Sequence, residues 1–300
     1  ETDILEKSKK QYFDAIKKIS SKEKLLNFRI EGVIIGDLIY DTFLKIKKLP
    51  TVDINSDILK NYIFECIQVF YYWKKYIENN NVKSVIIVHP TYLYGIIMRI
   101  ACQRNIPVYR AHLNYVEYIK HKNYNVGKQF RNYPKYFKSL NSKNKIELIN
   151  KSKILLEAML RKKIGSTNLK KFVPKIKKNE KISILIAMHN FYDSPHVFGK
   201  MLFPDFYEWL KYIINLSKKT DYNWYLKLHP ENTIKDIKYI KKLLEKNNQI
   251  KIISHKTNQN QIIKSGIKYV LTCFGSIGYE YAYKNITVIN ACINNPHADY

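Results

Sequence analysis

The stretch VKSVIIVHPTYLYGIIMRIACQRNIPVY, residues 82–109, decides the fold class. Its first part, Val82–Val88, is rich in β-branched residues, which is typical of a buried strand, and His89-Pro90 ends this run. Residues 92–104 are predicted as a helix, and Ile106–Tyr109 as the next strand. Strand, helix and strand in this order form a βαβ unit, which requires a parallel sheet with helices on its faces.

The residues before this unit are predicted to be mostly helical. Residues 1–26 have helical spacing, and Phe28–Asp37 is a short extended segment that glycine interrupts. A helix from Asp37 to Lys48 follows, and a further helix over 57–78 is the clearest because apolar residues recur there every three or four positions. Residues 110–180 are predicted as insertions followed by a linker.

After residue 180 the chain repeats the alternation of strand and helix. The predicted strands are 181–188, 223–228, 250–254, 268–273 and 286–291, and the predicted helices are 204–218, 233–246, 259–264 and 276–284. This series predicts a doubly wound parallel sheet. The sequence therefore favours an α/β fold with two Rossmann-like, doubly wound domains. The N-terminal domain is predicted over residues 1–165, with a basic aromatic insertion, and the C-terminal domain over 166–300.

Composition limits the classes of function. The chain is 46% hydrophobic, which excludes disorder of the whole chain, and no run of about 18 apolar residues predicts a membrane-spanning helix. The 52 basic and 25 acidic residues give a net charge of +27, which would attract nucleic acid, anionic lipid or phosphorylated substrates. An AT-rich genome would also produce this excess of lysine, so the charge by itself identifies no partner.

The cysteines and acidic residues predict neither a disulfide framework nor a metal site. Cys66, Cys102, Cys273 and Cys292 form no CxxC pair and have no zinc spacing, so we expect free thiols in a reducing cytoplasm. The sequence does not begin with a basic segment followed by an apolar one, so we do not expect a secretory signal. The chain has no DxD motif of the kind that holds a divalent ion on a sugar nucleotide, and we expect no metal and no other cofactor.

Ligands of open parallel sheets bind beyond the carboxyl ends of the strands, so polar residues there are candidates. The candidates in the second half are Lys227, His229 and Pro230; Gly275, Ser276 and Glu280; and His189, Asn190, Asp193 and His196. The His229 imidazole can donate to a phosphate oxygen, and Ser276 begins a predicted helix whose free N–H groups would bind an anion. In each case the alternative is a polar turn without a ligand.

The N-terminal half has its own candidates. Asp37 and Asp41 are four residues apart on one helix face, so one can act as a general base while the other raises its pKa. The alternative is that Asp37 is an N-cap and Asp41 is a solvated partner of Lys45. The candidate acceptor-binding residues are His89, Tyr92, Arg110 and His112.

Aromatic and basic residues alternate between Tyr109 and Lys138. Such a stretch can stack single-stranded nucleic acid, hold a polyanionic glycan or lie on anionic lipid headgroups. No RRM, KH or zinc signature supports the first reading, so nucleic acid is not a predicted partner.

The element Lys227–Pro230, with Thr272–Glu280 after it, resembles bacterial capsule and surface-polysaccharide glycosyltransferases of the GT-B fold, and it is similar to Kdo transferases and sialyltransferases. Residues 30–41 resemble the start of surface-carbohydrate proteins. In such families the His-Pro pair and the serine loop hold the phosphate of the donor nucleotide. One serine, Ser276, stands where sialyltransferases have a Ser-Ser or Ser-Thr pair, and their acidic base motif is reduced to Ile30-Glu31-Gly32, so the donor nucleotide stays open.

The resemblance implies two domains that face a central cleft and an inverting, metal-independent glycosyltransferase. A nucleotide sugar would be the donor, and a capsular polysaccharide or lipid-linked glycan the acceptor. His229, Lys227 and Ser276 would stabilise the leaving phosphate, Glu280 a ribose hydroxyl, and Asp37 or Asp41 would be the base. The alternatives are a CDP-polyol-type phosphotransferase and a non-enzymatic polyanion binder. We expect a cytoplasmic protein with peripheral contact to the inner face of the cell membrane.

Overall fold

The computed structural model describes residues 2–119, 132–161, 181–245 and 249–295. The chain divides into two compact units. The first unit consists of Glu1–Lys128 and Phe191–Gly199, and the second of Gln129–Asn190 and Lys200–Tyr300. The predicted domain boundary at residue 165 lies outside the described residues, as does the part of the basic aromatic stretch over 120–131.

The first unit consists mainly of helices. Its helices are α1 (Thr2–Lys18), α2 (Lys22–Leu26), α3 (Gly36–Lys47), α4 (Asp57–Asn79) and α5 (Tyr94–Gln103), and its strands are β1 (Arg29–Ile30), β2 (Val33–Ile34), β3 (Val85–Ile87), β4 (Val108–Ala111) and β5 (Val116–Ile119). In the apolar stripe predicted for α4, Ile58 is exposed, whereas the other predicted members are buried, namely Tyr62, Ile63, Ile67, Phe70, Tyr71 and Ile77. These side chains form much of the core of this unit.

The predicted βαβ unit is present in the first unit as β3, α5 and β4. Strands β3 and β4 pair in parallel, with Val85 opposite Val108, and β5 pairs with β4 in the antiparallel direction. The extended segment predicted before α3 is the short hairpin of β1 and β2, whose turn places Glu31 and Gly32 at positive φ. The described sheet has three strands, of which two are parallel, so a second doubly wound domain is not confirmed.

The second unit contains the strands and helices of the predicted alternation. They are β6 (Ser183–Ala187), α8 (Phe206–Ser217), β7 (Asn223–Lys227), α9 (Ile234–Leu244), β8 (Ile250–Ile253), α10 (Gln259–Lys264), β9 (Tyr269–Thr272), α11 (Ile277–Ala282) and β10 (Thr287–Asn290), preceded by α6 (Tyr133–Ser139) and α7 (Ser142–Arg161). All neighbouring strands of this sheet pair in parallel. The prediction of a parallel α/β sheet in the second half is therefore confirmed.

The strand order of this sheet positions the candidate site. The order is β10-β9-β6-β7-β8, so the chain builds outward from β6 to β8 and then crosses back to β9 on the other side. Strand β6 is central, and all five of its residues are buried. The connections after β6 and β9 leave in opposite directions, and a crevice opens at such a switch point beyond the carboxyl ends of the strands.

No helix within the described ranges is both long enough and apolar enough to cross a bilayer.

Candidate functional site

A cleft of about 540 Å³ lies beyond the carboxyl ends of β6, β7 and β9 in the second unit. Three of the loops that the sequence singled out meet there, namely those after Ala187, Lys227 and Thr272. The polar residues that line the cleft are His189, Lys227, His229, Asn258, Gln259, Thr272, Ser276 and Glu280. Because these loops are far apart in sequence, the parallel sheet brings them together.

Lys227 supplies a positive charge to the cleft. It is the last residue of β7 and is buried, and its Nζ donates to the carbonyl oxygen of His255 at 2.9 Å. Burial lowers the pKa of the Lys227 amine to about 8, while the Glu280 carboxylate acts in the opposite direction. The amine is therefore mostly protonated at pH 7, and its charge is poorly solvated. A phosphate group in the cleft would replace the missing solvation.

His229 is held by the turn that follows β7. Its backbone N–H donates to Asn232 Oδ1 at 2.8 Å, and its Nδ1 accepts the N–H of Glu231 at 3.2 Å. With Nδ1 as an acceptor, a neutral imidazole carries its proton on Nε2. The side chain therefore has one nitrogen used by the turn and an N–H donor on the other side of the ring. This arrangement suits hydrogen bonding to an anionic oxygen.

Ser276 and Glu280 form a polar pair in the connection that follows β9. The Ser276 hydroxyl donates to Glu280 Oε1 at 3.2 Å, and Glu280 is buried. Burial raises the pKa of Glu280, and the Ser276 hydroxyl and Lys227 partly offset that effect. Helix α11, which Ser276 precedes, has only six residues. A helix this short has a weak dipole, so anion binding here would depend on the serine hydroxyl and local N–H groups.

His189 holds the loop after β9 in place. Its ring stacks on Phe206 with centroids 4.4 Å apart, and its Nε2 accepts the N–H of Cys273 at 3.1 Å and that of Phe274 at 3.4 Å. Burial, and to a lesser extent His229, lowers the pKa of His189 to about 3. His189 is thus a neutral imidazole whose Nε2 accepts hydrogen bonds from the loop, and it also lines the cleft, where we predicted contact with the donor nucleotide.

The backbone of this loop is partly occupied by internal hydrogen bonds. The Gly275 N–H donates to Thr272 Oγ1 at 3.4 Å, and a Cβ atom at Gly275 would lie 3.2 Å from that oxygen and 3.4 Å from His189 Cε1. Within the described chain, the N–H groups of Ser276 and Ile277 have no hydrogen-bond acceptor. Of the backbone N–H groups that we predicted to bind an anion here, only those of Ser276 and Ile277 are therefore available in the described chain.

The remaining members of the predicted donor cluster are divided between the two units. The Asn190 side chain donates to the Glu231 carbonyl oxygen at 3.4 Å and so connects the loops after β6 and β7. Pro230 lines the cleft beside His229. Asp193 and His196 belong to the first unit and do not line this cleft. His189 and Asn190 therefore belong to the second unit and Asp193 and His196 to the first, because the chain leaves the second unit after Asn190.

Asp37 in the first unit is bound by an arginine. Arg99 Nη1 and Nη2 donate to its two carboxylate oxygens at 2.5 and 2.7 Å, and Nη1 also donates to the Ile34 carbonyl oxygen at 2.8 Å. Helix α3 begins at Gly36, with Ile35 at the N-cap position, so the alternative of Asp37 as N-cap is wrong. Both oxygens of the Asp37 carboxylate are therefore occupied by the Arg99 guanidinium.

Asp41 is buried against His196. The two side chains meet at 2.6 Å between Asp41 Oδ1 and His196 Nδ1, and the His196 backbone N–H donates to Asp41 Oδ2 at 3.2 Å. The ring of Tyr40 packs edge to face on the His196 imidazole, with the two ring centroids 5.3 Å apart. Burial raises the pKa of Asp41, whereas His196 lowers it. The alternative of a solvated Asp41 beside Lys45 is therefore wrong.

The predicted acceptor residues have different surroundings. His89 is exposed, and Tyr92 is half-buried at a φ of +57° beside Ser194, to which its hydroxyl is hydrogen-bonded. Arg110 pairs with Glu117 and donates through Nε to His112 Nε2 at 2.8 Å. Arg110 and His112 are therefore engaged within the hairpin of β4 and β5.

Sequence reasoning missed Asn258 and Gln259 of the cleft and Arg99 of the first unit. Asn258 caps α10 by accepting the Asn260 N–H, and Gln259 Oε1 accepts the Tyr281 hydroxyl at 2.8 Å. Both follow the carboxyl end of β8, which is the signal that would have identified them. The position of Arg99 within an apolar helix gave no comparable signal.

No protein-family model, curated protein or solved structure matches this chain. In the described ranges, no group of three or more histidine, cysteine or acidic residues is placed to hold a metal ion.

Proposed function

We propose that the protein is an inverting, metal-independent glycosyltransferase that moves a sugar from a nucleotide-sugar donor to a growing bacterial capsular or surface polysaccharide. The observation that carries this proposal is the cleft at the switch point of the second unit. It gathers the Lys227 amine, the His229 imidazole and the Ser276 hydroxyl in one cavity. Nucleotide phosphates bind at this position in open parallel sheets.

In this proposal the three side chains bind the phosphate that leaves with the nucleotide. Inversion requires one displacement, in which the bond between the sugar's anomeric carbon and the phosphate oxygen breaks while the acceptor oxygen bonds to that carbon. The electron pair leaves with the phosphate oxygen. Lys227 and His229 are fixed by the His255 carbonyl and the Glu231 N–H before substrate arrives, so little reorganisation accompanies the charge. Each charge-assisted hydrogen bond contributes about 1.5–3 kcal/mol.

The first unit would supply the acceptor site and the base. Of the two predicted carboxylates, Asp41 is the better candidate, because its partner His196 can itself carry a proton, whereas Asp37 is bound at both oxygens by Arg99, which stays charged. The proton of the acceptor hydroxyl would pass to the Asp41–His196 pair, a contribution of about 10²–10⁴ in rate. Each unit would correspond to one Rossmann-like domain of the GT-B arrangement that the motifs resemble.

The first experiment is a thermal-shift screen of the intact protein with UDP, CMP, CDP and GDP. A nucleotide that binds only the folded state raises the unfolding midpoint. We expect one of the four to do so, and we expect the shift to be lost in His229→Ala and Ser276→Ala but kept in Lys268→Ala, an exposed residue outside the cleft. No shift with any nucleotide would reject the proposal.

The second experiment identifies the product. With the nucleotide known, the matching nucleotide sugars are incubated with capsular glycan in the presence of a chelator. A new glycosidic bond supports the proposal. A new phosphodiester would mean that the same cleft serves a CDP-polyol-type phosphotransferase, in which the nucleophile attacks phosphorus rather than carbon.

A further inference from the structure

Helices α6 and α7 expose many large apolar side chains. Tyr136, Ile146, Ile154 and Leu155 are 66, 60, 70 and 65% exposed, and Tyr133, Phe137, Leu148 and Ile149 are exposed as well. We call residues 133–160 the α6–α7 surface. Exposed apolar residues are ordinary when scattered singly, but a group on consecutive elements marks an interaction surface.

The α6–α7 surface extends from an anchored end. Helix α7 is fixed to the second unit near its C-terminus, where Leu160 is buried, its carbonyl oxygen accepts Asn260 Nδ2 at 3.3 Å, and Glu157 pairs with Lys284 at 2.6 Å. From Ser142 to Leu155 no residue of α7 is buried. A helix that carries this much apolar surface outside a core is expected to bury it against a partner.

A groove of about 390 Å³ lies within this surface. It is lined by Phe137, Leu148, Ile149, Ser152, Lys153, Leu156 and Tyr283. Its walls are mostly apolar, and Lys153 adds a positive charge. Such a groove offers apolar contact for a hydrocarbon chain next to a cation for an acidic headgroup.

The charge of the surface is strongly positive. Residues 133–160 contain six lysines and two glutamates. Both glutamates are already neutralised by lysine, since Glu147 pairs with Lys151 at 2.7 Å and Glu157 with Lys284 at 2.6 Å. Lysines 135, 143 and 153 are exposed and pair with no carboxylate among the described residues. Any partner that covers the apolar groups must therefore also accept cations.

We infer that the α6–α7 surface docks on an anionic lipid bilayer. Lysines mixed with aliphatic and aromatic side chains are typical of helices that lie at the headgroup boundary, where the apolar groups enter the acyl region and the lysines approach the phosphates. Tyr133 and Tyr136 suit this depth because their rings are apolar and their hydroxyls polar. The inference does not rest on the proposed function.

Two other occupants fit the surface less well. Nucleic acid would neutralise the lysines, but Ile146, Ile154 and Leu155 lack a flat ring on which a base can stack. A second copy of this chain would cover the apolar groups, but it would bring two surfaces of like charge together. An anionic bilayer satisfies both the apolar and the cationic groups.

The test is vesicle flotation of the intact protein with phosphatidylcholine alone and with phosphatidylcholine mixed with phosphatidylglycerol. We expect binding to the mixed vesicles that weakens as salt rises, and little binding to phosphatidylcholine alone. The double variant I154E/L155E should bind the mixed vesicles at least about tenfold more weakly, because both substitutions place a carboxylate in the acyl region. The matched control is Ile234→Glu on α9, where Ile234 is 89% exposed.

A second variant tests the charges without altering apolar groups. Replacing Lys135, Lys143 and Lys153 by Gln should weaken binding roughly 100-fold, because three cations that approach the anionic headgroups are lost. Replacing Lys235, Lys238 and Lys241 of α9 by Gln is the matched control and should have little effect. Circular dichroism establishes that each variant is folded.

Several results would overturn the inference. They are no binding of the native protein to mixed vesicles, equal binding of the native protein and both α6–α7 variants, concentration-dependent dimers that only I154E/L155E abolishes, and binding to a single-stranded oligonucleotide that exceeds binding to vesicles. Nucleotide-induced thermal shifts should be unchanged in both variants, so failure here is distinguishable from failure of the proposed function.

Discussion

Lys227 in the second unit and Asp41 in the first are both buried ionisable residues, but their surroundings differ. Lys227 bonds a neutral carbonyl oxygen and lines an open cleft, whereas Asp41 has both carboxylate oxygens bonded to His196. A buried charge without an opposite charge bonded to it is costly and is suited to an external partner. A buried charge with a bonded partner contributes to the local structure first.

Burial of an ionisable side chain alone therefore does not identify a ligand site. Burial lowers the pKa of the Lys227 amine to about 8, and a bound anion would raise that pKa again. Lys227 is therefore suited to bind an anion. Asp41 is compensated internally, so removing it should disturb folding as well as any proton transfer. Four predictions separate these two behaviours.

Asp41→Ala should lower the free energy of unfolding by about 3–5 kcal/mol, because it leaves the His196 imidazole buried beside no carboxylate. Chemical denaturation measures this effect. Asp14→Ala is the matched control, since Asp14 is an exposed acidic residue of the same unit, and it should change stability by less than about 0.5 kcal/mol. Equal stabilities of the two variants would mean that Asp41 is not a structural partner of His196.

Lys227→Met should weaken nucleotide binding roughly 100-fold, because a charged hydrogen bond to phosphate is lost. Its free energy of unfolding should stay equal or increase, since a desolvated ammonium group is replaced by an apolar side chain. Calorimetric titration with the nucleotide found by thermal shift measures the affinity, and the exposed Lys251→Met is the control. Undiminished affinity would contradict the role of Lys227.

Nucleotide affinity should fall as pH rises through about 8, by up to roughly tenfold per unit above that value. The sign follows from the Lys227 amine, which is charged below its pKa and neutral above it. The nucleotide phosphates stay negatively charged over this range, so the attraction is lost when the amine loses its proton. Titrations between pH 7 and 9 measure the slope. In Lys227→Met the slope over this range should disappear, and a slope that persists would assign it to another group.

Gly275→Ala should have the smallest effect, a loss of a few-fold in nucleotide affinity. The new methyl group would lie 3.2 Å from Thr272 Oγ1 and 3.4 Å from His189 Cε1, so the loop must shift by a few tenths of an ångström. Gly266→Ala is not a suitable control because Gly266 has a φ of +92°, so Ser265→Ala is used. An unchanged affinity would mean that the position of this loop does not matter for binding.

The fold of the second unit could be predicted from the sequence because its signals are local. Strand β7 and the Lys227–Pro230 element are a β-rich run followed by a turn, and the run over 268–273 contains β9. Parallel order then placed their loops at one edge of the sheet. The position of the cleft followed from that order.

The rest depended on contacts between residues far apart in sequence. Arg99 binds Asp37 across 62 positions, and His196 reaches Asp41 across 155, so no local pattern reveals either pair. The role of His189 was also hidden, because a sequence does not tell whether an imidazole nitrogen donates or accepts. The short antiparallel strand β5 lies in a stretch without clear periodicity.

The segment Phe191–Gly199 has a consequence for how the protein is made. Phe191 is fully buried, Tyr192 lies under the Lys48 amine at 4.8 Å, and His196 completes the Asp41 pair, all within the first unit. The ribosome must therefore have passed position 196 before this N-terminal region can acquire its last core residues. Until then Asp41 lacks its partner, so a nascent chain arrested before position 191 should be an easy substrate for proteases and chaperones.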